Sequence, residues 1–335
     1  MTTIIDVARH AQVSTATVSR TLSRPDGVRK ELRERVLAAI DALGYVPNRA
    51  ARSLRTQSAS KILVTVPDIS NPFFANIIRG AEEVAREAGY GLVLGDTRYE
   101  AALENQYALM LRRKEVDGLL FLGPHLPEVL EPMVNAAHGS APVVNGCEYS
   151  PELRVSSVHI DNAVAGADAA DYLLSLGHRH IGIVTGPLAS PLSRDRLQGV
   201  RRSAERQGAG DSIRVAHGDF SIQSGFDAAA GLIAQSDVTA IFCFSDEMAM
   251  GAIEAVRRAG LTCPDDISIM GFDDIRFARY LNPALTTVAQ PSIAIGKEAI
   301  AMLLQIIDGE QIAPKDNTLP HELIVRKSTA RMMPR

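Results

Sequence analysis

The sequence predicts a small all-α head followed by a two-lobed α/β body. Three observations predict it. The first 45 residues hold three short stretches with helix caps and apolar residues at helical spacing. From Lys61 onward, short apolar runs alternate with helical stretches of ten or more residues. The charge also divides: residues 1–60 carry ten Lys and Arg against five Asp and Glu, whereas the 335-residue chain as a whole has a net charge of −4. A basic head on an acidic body is what a chain shows when the head meets a polyanion and the body does not.

Each element of the head has a local reason. Thr3 can cap a first helix through Val7 and Ala8, and Gln12-Val13 makes the turn. Ser14 or Thr15 caps a second helix from Thr15 to Thr21 or Leu22, with Val13, Val18 and Leu22 on its buried side. After the Pro25-Asp26-Gly27 loop, Lys30 to Leu43 puts Leu32, Val36, Leu37, Ile40 and Leu43 on one apolar face, and Gly44 ends it. Residues 56–60, TQSAS, read as linker. The expected boundaries are 1–46 for the head, 47–60 for a hinge and linker, and 61–335 for the body.

In the body, strands are expected at Ile62 to Val66, Leu92 to Leu94, Gly118 to Leu122, Pro142 to Val144, His180 to Val184, Ala240 to Phe244 and Ser268 to Met270. Helices are expected at Pro72 to Ala88, Ala101 to Arg113, Arg196 to Gln207 and Met248 to Arg258. This alternation implies parallel sheets with right-handed crossovers. The length implies two lobes, with the chain passing between them near 160, 290 and 320.

Several function classes are disfavoured. No run reaches the ~18 apolar residues of a membrane span. The N-terminus lacks the pattern of a signal peptide, so a cytoplasmic location is expected. Cys147, Cys243 and Cys263 are sparse and odd in number, which fits buried thiols in a reducing compartment. There is no Gly-x-Ser-x-Gly elbow, phosphate loop or paired zinc-ligand spacing. His178 and His180 flank Arg179 before a strand and are expected as packing or loop residues. No catalytic residue, metal or cofactor is expected.

A helix-turn-helix sets its second helix in the major groove. Here that helix would offer Ser14, Thr15, Ala16 and Arg20, though spacing alone equally fits an ordinary three-helix bundle. In the body, polar and aromatic residues cluster where strands end, the place where open α/β sheets bind ligands. These are Asn71-Pro72-Phe73-Phe74, Gly218-Asp219-Phe220, Ser245-Asp246 and Gly271-Phe272-Asp273-Asp274.

Taken in order, Ile5-Asp6-Val7-Ala8, Val13-Ser14, Thr17-Val18-Ser19-Arg20, Leu43-Gly44-Tyr45-Val46-Pro47-Asn48 and Ala50-Ala51-Arg52-Ser53-Leu54 resemble the LacI/GalR repressors. The resemblance implies a DNA-binding repressor with a periplasmic-binding-protein-like sensor, acting as a homodimer on pseudo-palindromic operator DNA. It makes Thr15 and Ala16 base readers and has Thr17, Ser19 and Arg20 holding DNA, with Ser14 of the outer face a further expected DNA contact. Asn48 to Arg55 resembles the family's hinge helix, which implies DNA contacts by Asn48, Ala51, Leu54 and Arg55, with Leu54 wedged into the minor groove. The last residues, Ser328 to Arg335, lack a tetramer-forming Leu heptad, so a dimer is expected.

The resemblance also implies effector contacts by Asn71, Phe73, Phe74, Arg196, Phe220, Asp273 and Gln290, with Ser245 and Asp246 at the rim. Val66-Pro67-Asp68-Ile69, Ile77-Ile78-Arg79-Gly80, Val158-His159-Ile160-Asp161-Asn162 and Ala289-Gln290-Pro291 resemble the family's cytidine-responsive branch. That implies a nucleoside effector, with a pentose as the alternative. Glu148 stands near a variable pocket position, where it can take an amino group of a base or remain a solvated loop acid. Ser190 and Leu192 replace the polar contacts of purine-binding relatives.

Overall fold

A computed structural model describes residues 2–23, 25–46, 58–136, 141–149, 154–235, 237–310 and 313–332. The chain divides into two compact units, Met1–Ala59 and Ser60–Arg335.

In the first unit, α1 (Ile4–His10) begins with a reciprocal cap: the Thr3 hydroxyl accepts from the Asp6 N–H and the Asp6 carboxylate from the Thr3 N–H. Gln12 takes a left-handed turn at φ 52°. The Ser14 hydroxyl then accepts from the Thr17 N–H at 3.2 Å and starts α2 (Thr15–Ser23). After α3 (Lys30–Leu43), Gly44 closes the helix at φ 56°, a region that costs glycine nothing. Val7, Ala8, Ala11, Val18, Val36 and Ala39 form the core, with Val13, Leu22, Ile40 and Leu43 packed around it. Leu37 departs from the expected apolar face and is 46% exposed. At 100° per residue it stands a quarter-turn from Val36, while Ile40 and Leu43 stay on the inner stripe.

The second unit contains two six-stranded sheets. The first uses β1 (Lys61–Val66), β2 (Gly91–Asp96), β3 (Gly118–Phe121), β4 (Val143–Gly146), β5 (Ser156–Ile160) and β11 (Asp316–Leu319), in the order β11-β5-β4-β3-β1-β2. The second uses β6 (Ile181–Thr185), β7 (Ile213–His217), β8 (Ala240–Cys243), β9 (Ser268–Asp273), β10 (Thr286–Ala289) and β12 (Glu322–Ile324), in the order β12-β10-β9-β8-β6-β7. Pairing is parallel apart from β10 with β12. The chain leaves the first lobe after Ile160, returns after Ala289, and crosses again after Leu319.

Helices α4 (Pro72–Glu87), α5 (Ala101–Arg112) and α6 (Glu131–Ala136) connect strands of the first lobe, joined there by α11 (Ser292–Ile307). The second lobe has α7 (Asn162–Ser175), α8 (Pro191–Arg206), α9 (Ile222–Gln235) and α10 (Asp246–Arg258). Three helix pairs touch through reciprocal glycines: Gly80 with Gly296, Gly166 with Gly199, and Gly225 with Gly251. A Cβ at Gly199 would lie 1.9 Å from the Ala163 carbonyl oxygen, and one at Gly166 2.3 Å from that of Arg196. The α7 and α8 backbones are therefore in direct contact, and this fixes where Arg196 points.

Helices α7, α9 and α11 were not singled out by sequence pattern. Their Ala- and Gly-rich, widely apolar faces carry little contrast for a periodicity reading. Helix α8 begins five residues before the expected Arg196, because Pro191 fits the first turn while Ser193, Arg194 and Asp195 add no apolar stripe. No described helix is long and apolar enough to cross a membrane.

Candidate functional site

In the head, Ser14, Thr15, Ala16 and Arg20 are exposed on one end and side of α2, while Thr17 and Ser19 are half-buried. The Ser14 and Thr17 hydroxyls lie 3.0 Å apart. This leaves short polar groups, a methyl and a guanidinium on the outer surface, a set suited to base edges and phosphates. Asn48, Ala51, Leu54 and Arg55 lie outside the described residues.

The body holds a cavity of about 490 Å³. Residues beyond the carboxyl ends of strands in both sheets line it: Pro67 after β1, Leu122 after β3, Cys147 and Glu148 after β4, Pro187 after β6, Phe220 after β7, Phe244 after β8 and Asp273 ending β9. Gln290 reaches it from the return crossing. The cavity is the crevice between lobes that two doubly wound sheets leave at their strand ends.

Arg196 organises its polar wall. The side chain is 3% exposed and its guanidinium carbon stands 3.5 Å from the centre of the Phe272 ring. Its Nε donates to Asn162 Oδ1 at 2.9 Å and one amino group donates to the Phe244 carbonyl at 2.7 Å. Burial draws Arg196 down to about 10, against the nearby charges of Asp273 and Glu148. Gln290 Nε2 donates to Asp273 Oδ1 at 2.7 Å, while the buried Gln290 Oε1 has no partner among the described residues. Burial pushes the Asp273 carboxyl up to about 7, with Arg196 and Gln290 pulling the other way. An acid, a fixed cation and the Gln290 amide that holds the acid thus line one space, which suits a molecule rich in hydroxyls.

Phe73 and Phe74 meet edge-on, with centroids 5.2 Å apart, and line the same cavity with Phe220. Cys147, Phe220 and Asp273 have φ of 73°, 73° and 110°, a left-handed backbone that is costly away from glycine and concentrates at functional sites. Asn71 also lines the wall, but its side chain caps α4 by accepting from the Phe73 N–H at 2.9 Å.

Glu148 is 5% exposed, so it is not a solvated loop acid. It lies on the first lobe, and its carboxylate accepts from Ser190 Oγ at 2.9 Å and the Leu192 N–H at 3.4 Å, both on the second. Burial pushes it up to about 7, opposed by these hydrogen bonds. Asp273 and Glu148 are both raised from ordinary values of 3.8 and 4.5, so the unfolded chain loses these protons before the folded one. Their effect on stability is thus most favourable below about pH 4 and worsens as pH rises toward about 7. Glu148→Gln removes one such group. The melting temperature of the variant minus that of the parent is expected to be more positive at about pH 8 than at about pH 5; an equal difference at both would contradict this.

Two rim expectations need correction. Ser245 does not line the cavity: it is the cap of α10, accepting from the Met248 N–H, and its hydroxyl lies 3.4 Å from the Phe220 carbonyl. Asp246 does not line the cavity either. It is fully buried, accepting from Thr287 Oγ1 at 2.6 Å and the Ile275 N–H at 2.8 Å, so it ties β10 and the segment after β9 to α10. Cys147 and Cys243 are buried but Cys263 is only partly so. His178 packs between Thr239 Oγ1 and the Ala330 carbonyl. No metal-ligand cluster occurs among the described residues.

Sequence reasoning missed Tyr99, Glu104 and His125, which line the cavity from the first lobe. His125 follows β3, so strand-end position was the available signal. Tyr99 and Glu104 come from the β2–α5 connection and the first turn of α5, with no motif to mark them.

Residues 3–48 match the family model for bacterial regulatory proteins of the lacI family, and residues 170–329 that for a periplasmic binding protein-like domain. The HTH-type transcriptional repressor CytR of Escherichia coli (strain K12) is 40% identical over 329 residues, covering 98% of this chain and 96% of the relative. The lac repressor dimer bound to operator and the anti-inducer ONPF is 29% identical with a TM-score of 0.87, covering 98% of this chain and 99% of that one. A LacI family transcriptional regulator from Enterococcus faecium with bound ribose is 29% identical with a TM-score of 0.73, covering 82% of this chain and all of that one. Since the likeness runs unbroken from the head through the cavity-bearing body, the chain belongs to the LacI family: it is a DNA-binding transcriptional repressor with a ligand-binding domain, and not an enzyme.

Proposed function

We propose that this repressor responds to a nucleoside, first of all a pyrimidine nucleoside such as cytidine, bound between the lobes of its body. The observation that carries this reading is one cavity uniting Phe73, Phe74 and Phe220 with Arg196, Asp273 and Gln290. Aromatic faces take the base. Asp273, held by the Gln290 amide, accepts from ribose hydroxyls and Arg196 donates to them. Glu148 takes the base amino group. A pentose is the second reading, favoured by the ribose held in the Enterococcus faecium relative.

In this reading a homodimer presents two heads to the half-sites of a pseudo-palindromic operator in the cytoplasm. The lac repressor relative is a dimer on its operator, which supports this arrangement. Thr15 and Ala16 read bases, while Ser14, Thr17, Ser19 and Arg20 hold the backbone. The hinge roles of Asn48, Ala51, Leu54 and Arg55 rest on the sequence resemblance. A ligand that favours one lobe arrangement shifts the population of DNA-competent dimers.

Calorimetric titration of cytidine, uridine, cytosine and ribose into the protein tests the effector. Cytidine is expected to bind tighter than ribose or cytosine; ribose binding as tightly as cytidine would replace the nucleoside with the pentose. In the head, Arg20→Ala is expected to weaken operator binding and to lower the slope of log affinity against log salt by about one, as one phosphate contact is lost. An unchanged slope in a salt series would remove Arg20 from the phosphate contacts.

A further inference from the structure

The cavity's charges are unbalanced. Glu104, Glu148, Asp219 and Asp273 line it, Glu148 and Asp273 part-ionised near neutral pH, whereas Arg196 is the one Lys or Arg among the described lining residues. That guanidinium already donates to Asn162 and the Phe244 carbonyl and stacks on Phe272. The field extends to the rim: burial first, and then the charges of Asp68, Glu148, Asp219 and Asp273, push the Tyr99 phenol upward.

Phosphates in α/β proteins usually bind at helix N-termini, where backbone N–H groups point outward. Here the N-termini beside the cavity are already served by side chains. Asn71 accepts from the Phe73 N–H of α4, Glu148 from the Leu192 N–H of α8, and Ser245 from the Met248 N–H of α10. Asp219 accepts from the Ser221 N–H just before α9. At α5, where Ala101 reaches the cavity, Glu104 occupies the first turn. A phosphate arriving in the cavity would meet side-chain oxygens, among them the carboxylates of Glu148, Asp219 and Glu104, where it needs donors.

We propose that the cavity selects by charge, taking the uncharged nucleoside and rejecting the same nucleoside with a 5′-phosphate. The naming of the nucleoside rests on the reading above; the exclusion of phosphate rests on the cavity's own charges. A phosphomonoester brings about −1.5 to −2 charges at neutral pH. Placing it among acidic groups in a partly dry cleft, where the one guanidinium is already engaged by Asn162 and the Phe244 carbonyl, costs more binding than it returns. The repressor would then read its signal before phosphoryl transfer. A kinase acting on the nucleoside removes the signal, and a phosphatase restores it.

The test is calorimetry on the full chain at fixed ionic strength with cytidine, cytidine 5′-monophosphate, ribose, ribose 5-phosphate and inorganic phosphate. Each phosphorylated ligand is expected to bind at least ~100-fold more weakly than its unphosphorylated partner, and inorganic phosphate not to bind. Asp219→Asn keeps an acceptor for the Ser221 N–H while removing one charge, and should narrow the gap by about threefold or more. Cytidine monophosphate binding within ~10-fold of cytidine would overturn charge selection and leave the nucleoside reading standing. Ribose far above ribose 5-phosphate, with no preference for cytidine over ribose, would do the reverse. A panel in which only phosphorylated members bind overturns both.

Discussion

Asp273→Ala is expected to cost at least about 2 kcal/mol of effector affinity, a loss of roughly 30-fold or more. Asp273 ends β9, is buried, and receives the Gln290 amide at 2.7 Å. Removing its carboxyl deprives ligand hydroxyls of an acceptor and leaves the buried Arg196 charge less balanced. Asp273→Asn separates these contributions. It keeps an acceptor and tolerates the positive φ of this position better than alanine, but it carries no charge. Its loss should therefore fall between those of the parent and the alanine variant. Calorimetry with cytidine decides the matter, with a melting curve for each variant to verify folding. Parental affinity in Asp273→Ala would take this residue out of the effector site.

Gly199→Ala is expected to lower stability by about 3 kcal/mol and to weaken effector binding with it. The new methyl would stand 1.9 Å from the Ala163 carbonyl oxygen, and neither helix backbone can yield without separating α7 from α8. That separation also displaces Arg196 from Asn162, which holds it at 2.9 Å from the first turn of α7. Gly231 supplies the control. It lies within α9 with nothing within 4 Å of its would-be Cβ, so Gly231→Ala should be neutral or stabilising through helix propensity. Urea denaturation compares the two. Equal stability of Gly199→Ala and the parent would show that the helices are not held at backbone contact.

Where the determinants are local, the sequence was informative. The Thr3–Asp6 cap, the Ser14 cap and Gly44 are each specified within four residues, and the head follows from them. The apolar runs at β1, β3, β6 and β8 are likewise visible, because buried parallel strands need apolar side chains on both faces. Helices α7, α9 and α11 were harder to see, since their small residues serve backbone contact with a distant helix rather than one apolar stripe. Ser245 and Asp246, both expected at the rim, were misplaced for a similar reason. Both can cap a helix, but only the three-dimensional fold puts Thr287 and Ile275 beside Asp246.

The cavity was legible where motifs mark it. Phe73, Phe74, Arg196, Phe220, Asp273 and Gln290 were all named from the sequence, and all line one space. What the sequence did not disclose was the charge balance of that space. Glu148 could be either reader or solvated acid, until the opposite lobe supplied Ser190 and the Leu192 N–H. Tyr99, Glu104 and His125 reach the cavity through loops whose placement depends on the crossovers.

The central claim is that a ligand in the body cavity controls DNA binding by the head. Fluorescence anisotropy with an operator selected from random duplexes tests it directly, by titrating the full chain in the presence and absence of saturating cytidine. Cytidine is expected to shift operator affinity by at least ~5-fold, within the usual range of coupling between sites, and Asp273→Ala is expected to abolish the shift at the same cytidine concentration. An operator affinity that stays the same with cytidine present, under conditions where calorimetry shows the cavity filled, would contradict the account.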